Sequence, residues 1–392
     1  MTEPQGARVS APAPNIIISV DDSGSMGWPQ NGVTGIETLR AALKQTFNDK
    51  ALLPDHKVRI AWQSMNMCPG FSGFSGGCGN NSMRTLDSTH RANFLSWVDR
   101  LYASGGTPSF NMFLKAGQYL QMSGLNSPWA SVPGQDGTEL SCRKSFHVFL
   151  SDGGYGDSTS AVGNADGSSR IGQTQGDRRY VPNTSQTRLY TDSHANRLAD
   201  VAFHYWATDL RPDLPDDVPP YWADHNGQKG YYETRNQDFG TDGGGAAVLE
   251  PYWNPRNNPA TWQHMVNYTI GFMSAATWGG DPVWRGESNA GLGPLIRGNA
   301  LWQNHPYPDH WHAAINSRGR FIPVENPNQL STAFREIFKE ITDRGTGAPA
   351  AAAGSNLRVG APGLAFVSSF EASDWSGSVA AYPIAANGSQ SA

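Results

Sequence analysis

Five oxygen-bearing side chains stand where they could share one ion: Asp21, Ser23 and Ser25 in VDDSGSM, Thr107 in GGTP, and Asp152 in FLSDGG. Carboxylates and hydroxyls are hard donors, suited to Mg²⁺, Mn²⁺ or Ca²⁺ and poorly suited to zinc. Two acids with three neutral hydroxyls do not overneutralise a divalent cation, so the ion would keep an open position for an oxygen from a partner. Mg²⁺ is the first expectation, with Ca²⁺ or Mn²⁺ as alternatives. Each piece alone has a plainer reading: DxSxS as a turn capping a helix, Thr in GGTP as a cap, an Asp after a strand as a turn residue. The three together, in order and on suitable elements, point to a cation.

Those elements are legible as hydrophobic patterns. Ile16–Val20 is a short apolar run rich in β-branched residues, as in a strand buried on both faces. Thr34–Asn48 reads as a helix with a Thr34/Glu37 capping box and Ile36, Leu39, Leu43 and Phe47 on one face. Val58–Trp62 is a second strand. Thr89–Leu101 is a helix ending before Gly105-Gly106, and Thr107-Pro108 is expected to start another, with Thr at the cap and Pro at the first position. Ser145–Leu150 is a further buried strand that ends in Asp152, as the first ends in Asp21. Asp192–Ala207 reads as a helix, Val266–Phe272 as a strand, His310–Asn316 as a short helix, Arg320–Val324 as an edge strand and Asn326–Arg344 as an amphipathic helix.

This alternation predicts an α/β fold, a doubly wound and mainly parallel sheet flanked by helices with long loop insertions. Ligands bind such sheets beyond the carboxyl ends of strands where the strand order reverses, which would set Asp21 and Asp152 face to face. The insertions are expected at about 153–191, 209–258 and 273–308. Residues 1–14 read as a disordered segment, 15–344 as the α/β domain, 345–355 as a linker, and 356–392 as the start of a β-rich domain cut short.

A net charge of −5 and a pI near 6.0 give no basic footprint for nucleic acid. No stretch reaches the length of a membrane span, and Met1–Pro14 has no apolar run of the signal-peptide kind. Only 16% of residues are charged, yet the mean hydropathy is −0.49, and there are 44 glycines and 26 prolines. That mix suggests long ordered loops and a secreted protein. Of the three cysteines, Cys68 and Cys78 bracket a Gly/Ser-rich loop and are read as a disulfide, with two free thiols as the alternative; Cys142 is left over.

NHPYPDHWH holds His305, Asp309, His310 and His312. A metalloenzyme site there is a weak alternative, since His310 and His312 do not share a helical face and Asp309 reads as a cap for the following helix. Asp152–Ser169 has scattered Asp, Asn and Gly without the DxDxDG spacing of a calcium loop. No phosphate-binding loop, nucleophile elbow or Cys/His dyad appears, so the chain is read as a non-enzyme.

VDDSGSM, GGTP and FLSDGG together resemble a von Willebrand factor A domain with its metal-ion-dependent adhesion site. Carried over by motif, the ligands would be Asp21, Ser23, Ser25, Thr107 and Asp152, the last often acting through water. WATDLRPDLPDDVPP (206–220), TWQHMVNYTIGF (261–272), HWHAAINSRGRFIPVENPNQL (310–330) and SSFEASDWSGSVAAY (368–382) resemble the amino-terminal half of PilC/PilY-type pilus tip proteins. The resemblance implies a secreted protein that passes through the periplasm to the tip of type IV pili. It would support assembly, modulate retraction (twitching motility) and bind host or abiotic surfaces through an acidic group. Minor pilins would be its neighbours, and a β-propeller would follow 356–392. A purely structural cap on the minor pilins, with the metal stabilising the fold, is the competing reading.

Overall fold

The computed structural model describes residues 12–30, 32–168, 179–240, 243–272, 291–345, 363–371 and 376–384. Six strands form the central sheet: β1 (Asn15–Val20), β2 (Arg59–Ser64), β3 (Arg84–Thr85), β4 (Ser145–Ser151), β5 (Val266–Phe272) and β6 (Phe321–Val324). Their order is β6-β5-β4-β1-β2-β3, parallel throughout except for the short edge strand β3. The expected doubly wound α/β architecture is what the chain forms.

Alternation along the strands sorts the two faces. Ile16, Ile18, Val20, Ile60, Trp62, Phe146, Val148, Tyr268 and Ile270 pack on one side against α1 (Gly35–Asn48), α2 (Ser88–Arg100) and a late helix, Pro327–Gly345. Ile17, Ala61 and Phe149 face α3 (Ser109–Leu120) and α4 (Leu198–Ala207). That second face also carries a polar row. Gln63 Nε2 donates to Ser19 Oγ, which also meets His147 Nε2, and His147 Nδ1 meets Asn267 Oδ1 at 2.7 Å. All four are buried, and their mutual bonds offset the cost of taking them out of water.

The capping box at α1 forms as expected: Thr34 Oγ1 accepts from Glu37 N–H while the Glu37 carboxylate accepts from Thr34 N–H. Three other helix starts differ from expectation: those of α3 and α4, and that of the helix expected over His310–Asn316, which begins at Pro306. α3 begins at Ser109, and the Asp157 carboxylate, reaching over from another loop, accepts from Phe110 and Asn111 N–H in place of Thr107. α4 begins at Leu198 and not at Asp192. Asn196 adopts a left-handed φ of 60°, and Asp309 accepts from Leu198 and Ala199 N–H at the helix start. Asp309 therefore does not cap its own helix, α5 (Pro306–Asn316); His305 does, accepting from Tyr307 N–H. α6, the helix Pro327–Gly345, completes the first layer.

The described parts of the three insertions make a core of their own. Tyr180, Leu189, Tyr190, Phe239, Leu249, Tyr252, Trp253 and Trp302 pack with Phe203 and Trp206 of α4 and Trp311 and Ile315 of α5. Residues 273–290 of the third insertion lie outside the described residues, as do 1–11 and 346–362. Ala13 and Pro14, expected within a disordered segment, accept hydrogen bonds from Arg143 and from Arg59 N–H. Asn15 N–H bonds the Lys144 carbonyl while Lys144 Nζ bonds the Arg344 carbonyl, so the start of β1 and the end of α6 meet at one residue. Residues 363–371 and 376–384 pair as an antiparallel hairpin.

Candidate metal centre

β1 and β4 are neighbours, with Val20 level with Leu150. From β1 the chain passes to β2 on one side and later to β4 on the other, so the strand order reverses between them. Asp21 N–H donates to the Leu150 carbonyl, which extends the pairing one residue past the strand and leaves the Asp21 side chain at the crest.

The Asp21 carboxylate is fully buried. Its Oδ1 accepts from Ser23 N–H at 2.8 Å and its Oδ2 from Ser151 Oγ at 2.7 Å. Burial, reinforced by the Asp152 carboxylate, pushes its pKa up to about 6. Among the described residues no Lys or Arg pairs with either acid. Ser23 and Ser25 Oγ lie 3.1 Å apart, close to the edge of about 3 Å in an octahedron of oxygens at ~2.1 Å from the metal. The structure thus brings Asp21, Ser23 and Ser25 into one cluster and Asp152 into electrostatic range. Thr107 joins through the backbone: Gly24 N–H bonds the Gly105 carbonyl, and Gly156 N–H the Thr107 carbonyl. The Thr107 hydroxyl makes no hydrogen bond among the described residues and lies half-buried. The donor set is all oxygen, and the buried Asp21 and half-buried Asp152 lack a Lys or Arg counter-charge among the described residues; these residues fit a hard divalent cation.

Asp22 is a residue that the motif reading passed over. Its carboxylate, buried, accepts from Asn66 N–H (2.7 Å), Asn66 Nδ2 (3.1 Å) and Met67 N–H (2.8 Å), and its carbonyl accepts from Ser104 N–H. Asn66 Nδ2 also donates to the Gly106 carbonyl. Asp22 therefore fastens the loops after β1, β2 and α2 together. Its only sequence signal is its place beside Asp21. Asp22→Ala leaves three donors without an acceptor and is expected to cost about 2 kcal/mol in urea unfolding. It should also weaken cation affinity without removing a ligand, to be read by calorimetry.

The His305–His312 cluster does not form one site. His305 is exposed at the start of α5; His310 is buried near Phe149, its ring centroid 5.5 Å away; His312 turns toward Asp166 and Asp192. Burial pulls His310 down to about 3, so it stays neutral. Cys68 and Cys78 are joined by a disulfide, and Cys142 is free.

No family model matches the chain. Among curated proteins it is 37% identical over 363 residues to the type IV pilus biogenesis factor PilY1 of Pseudomonas aeruginosa strain PAK. The match takes in 88% of this chain and 29% of that protein. The chain is a relative of PilY1. The PilY1 of strain UCBPP-PA14 is 35% identical over 349 residues, 85% of this chain and 27% of its own length. The chain thus spans under a third of the PilY1 proteins it matches. Similar solved structures include the pilus adhesin SpaC from Lactobacillus rhamnosus GG, with TM-score 0.38, 11% identity, and coverage of 86% of this chain and 31% of that one. A von Willebrand factor type A protein from Catenulispora acidiphila matches with TM-score 0.34, 12% identity, and coverage of 84% and 43%. At such scores the architecture rests on the strand order itself. Among the described residues no helix is long and apolar enough to cross a membrane.

Proposed function

We propose that this chain is the cation-dependent binding domain of a secreted type IV pilus tip protein, carried to the surface through the periplasm. The observation that carries the reading is the buried, uncompensated Asp21 carboxylate at the strand reversal, with the half-buried Asp152 in electrostatic range and the Ser23 and Ser25 hydroxyls beside it. Asp21, Ser23, Ser25, Thr107 and Asp152 would hold the cation, with Mg²⁺ first and Ca²⁺ or Mn²⁺ next. When bound, the ion supplies a Lewis-acidic position for a carboxylate or other oxygen of a host or abiotic surface ligand. The insertions at about 153–191, 209–258 and 273–308 would choose that ligand. No catalytic role is assigned. Kinship with PilY1, a type IV pilus biogenesis factor by name, supports the pilus setting and a part in assembly; contact with minor pilins and modulation of retraction are further parts of the proposal.

Calorimetry with Mg²⁺, Mn²⁺ and Ca²⁺ on the wild type and on Asp21→Ala tests the cation. Binding by the wild type alone is expected, and absence of binding in both would sink the reading.

The name biogenesis factor favours a second reading, a structural cap on minor pilins in which the metal serves the fold. A strain carrying Asp21→Ala separates the two: normal piliation with lost adhesion supports the first, and loss of pili the second.

A further inference from the structure

A second cluster lies away from the crest motif, where two insertion segments meet α5. Asp166, Asp192 and His312 each offer a ligand atom, and the three atoms lie within 4.8 Å of one another. His312 Nδ1 is 3.4 Å from Asp192 Oδ2, and Nε2 is 3.7 Å from Asp166 Oδ2. Asp166 and His312 are buried to the last per cent, and the Asp192 side chain is 7% exposed. Asp200, also buried, closes on the same segment by accepting from Ala165 N–H.

We infer that Asp166, Asp192 and His312 form a second metal site, built for a borderline divalent ion of the Zn²⁺ class and distinct in chemistry from the all-oxygen crest. Two carboxylates with an imidazole select such an ion over Mg²⁺.

Three observations beyond the acidic cluster point to a ligand. First, His312 Nε2 lies 3.1 Å from the Tyr190 carbonyl, an acceptor only, so Nε2 carries a proton and donates there. This second contact is how metal-bound histidines are usually held; it leaves the Nδ1 lone pair facing Asp192. The ring is also clamped flat against Trp302, with centroids 4.3 Å apart and planes 12° apart.

Second, the 3.4 Å from Nδ1 to Asp192 is long for a charge-assisted hydrogen bond but close to the edge of about 3.3 Å in a tetrahedron of zinc ligands. Third, Asn316, one turn after His312, is fully buried. Its Nδ2 donates to Asp166 Oδ2 at 2.7 Å and to the Ala199 carbonyl at 3.3 Å, while its Oδ1 has no hydrogen-bond partner. The bond to Asp166 holds that carboxylate in place, as ligating carboxylates are usually held by a neighbouring hydrogen bond.

The local charge agrees. Three acids, Asp166, Asp192 and Asp309, act on the one imidazole, and the Arg197 guanidinium is engaged by Asp309 and by Tyr155. Burial, opposed by His312, holds Asp166 well above the usual carboxylate range. The competing occupant is a proton, which would make His312 an imidazolium shared by the two acids.

The test is Zn²⁺ titration of the chelator-stripped full chain at neutral pH with Mg²⁺ in excess, followed by competition with a chromophoric chelator and by Trp fluorescence. One equivalent is expected in the wild type, with a fluorescence change from Trp302, and equally in Asp21→Ala, whose crest is disabled. Asp192→Asn and His312→Gln are expected to weaken uptake by more than about 100-fold, the ceiling for losing a supporting hydrogen bond alone. No stoichiometric uptake by the wild type, or unchanged uptake in both variants, overturns the inference. Should the variants fail to fold, Co²⁺ added to the wild type decides: bands of a low-coordinate N/O site are expected, and an aqua-ion spectrum overturns it.

Discussion

Gly319→Ala is expected to prevent the chain from folding, or to destabilise it by more than about 4 kcal/mol. A Cβ at Gly319 would lie 1.8 Å from the Asn267 carbonyl oxygen and 2.6 Å from its carbon. Both are backbone atoms of β5, so no side-chain rotation relieves the overlap. The turn cannot shift either: Gly319 N–H bonds the Ala314 carbonyl, and the next residue's carbonyl accepts from Thr269 N–H as β6 joins the sheet. Arg318, just before, already holds a left-handed φ of 64°. Soluble yield and the urea midpoint check the expectation. Gly106→Ala is the control, since a Cβ there meets open space. A wild-type midpoint in Gly319→Ala would show that α5 and β5 are less closely packed than described.

Asp21→Asn is expected to stabilise the metal-free chain at pH 7 by about 2–3 kcal/mol while abolishing stabilisation by Mg²⁺. The sign follows from linkage. In the folded chain Asp21 titrates near 6, above its ordinary 3.8, so between those values the folded state holds a proton that the unfolded state has released. Stability from this group is greatest below about pH 4, falls as pH rises to 6, and is flat above, a loss of roughly 3 kcal/mol. Asn keeps an oxygen for Ser23 N–H and can donate to Ser151 Oγ, so the contacts survive without the charge. The wild type should instead gain about 2.7 kcal/mol from the ion at a hundredfold excess over its Kd. Asp22, Asp166 and Asp200 are also pushed up, so the quantity to read is the difference between wild type and variant across pH 4–7. A variant less stable than the metal-free wild type at pH 7 would contradict the burial argument.

The sheet was legible because its strands are short, apolar and β-branched. Ile16–Val20 and Ser145–Leu150 could be placed within a residue of their observed ends. Helix starts fared worse wherever the cap comes from far away in sequence. Asp157 serves α3 and Asp309 serves α4 across 46 and 110 residues, and no local pattern announces a remote carboxylate. The same limit governs the site. Asp21, Ser23 and Ser25 share one loop and could be grouped by spacing, whereas Asp22 gains its meaning from Asn66 and Met67, and His312 from Asp166 and Asp192. The insertions lack periodicity because their aromatic residues pack on α4 and α5, with no layered sheet or helix face to impose a repeat.

The meeting of Asn15 and Arg344 at Lys144 has a mechanical meaning. Both ends of the α/β unit leave from the foot of the sheet, and the acid-and-hydroxyl crest lies at the far end of the same strands. Tension passing along a longer polypeptide would enter and leave through that foot, bridging it at one lysine, and the crest would hang to one side of the line of force. A ligand held at the crest would instead pull lengthwise on β1 and β4, central strands flanked by hydrogen bonds on both sides, which must shear together and not open one bond at a time.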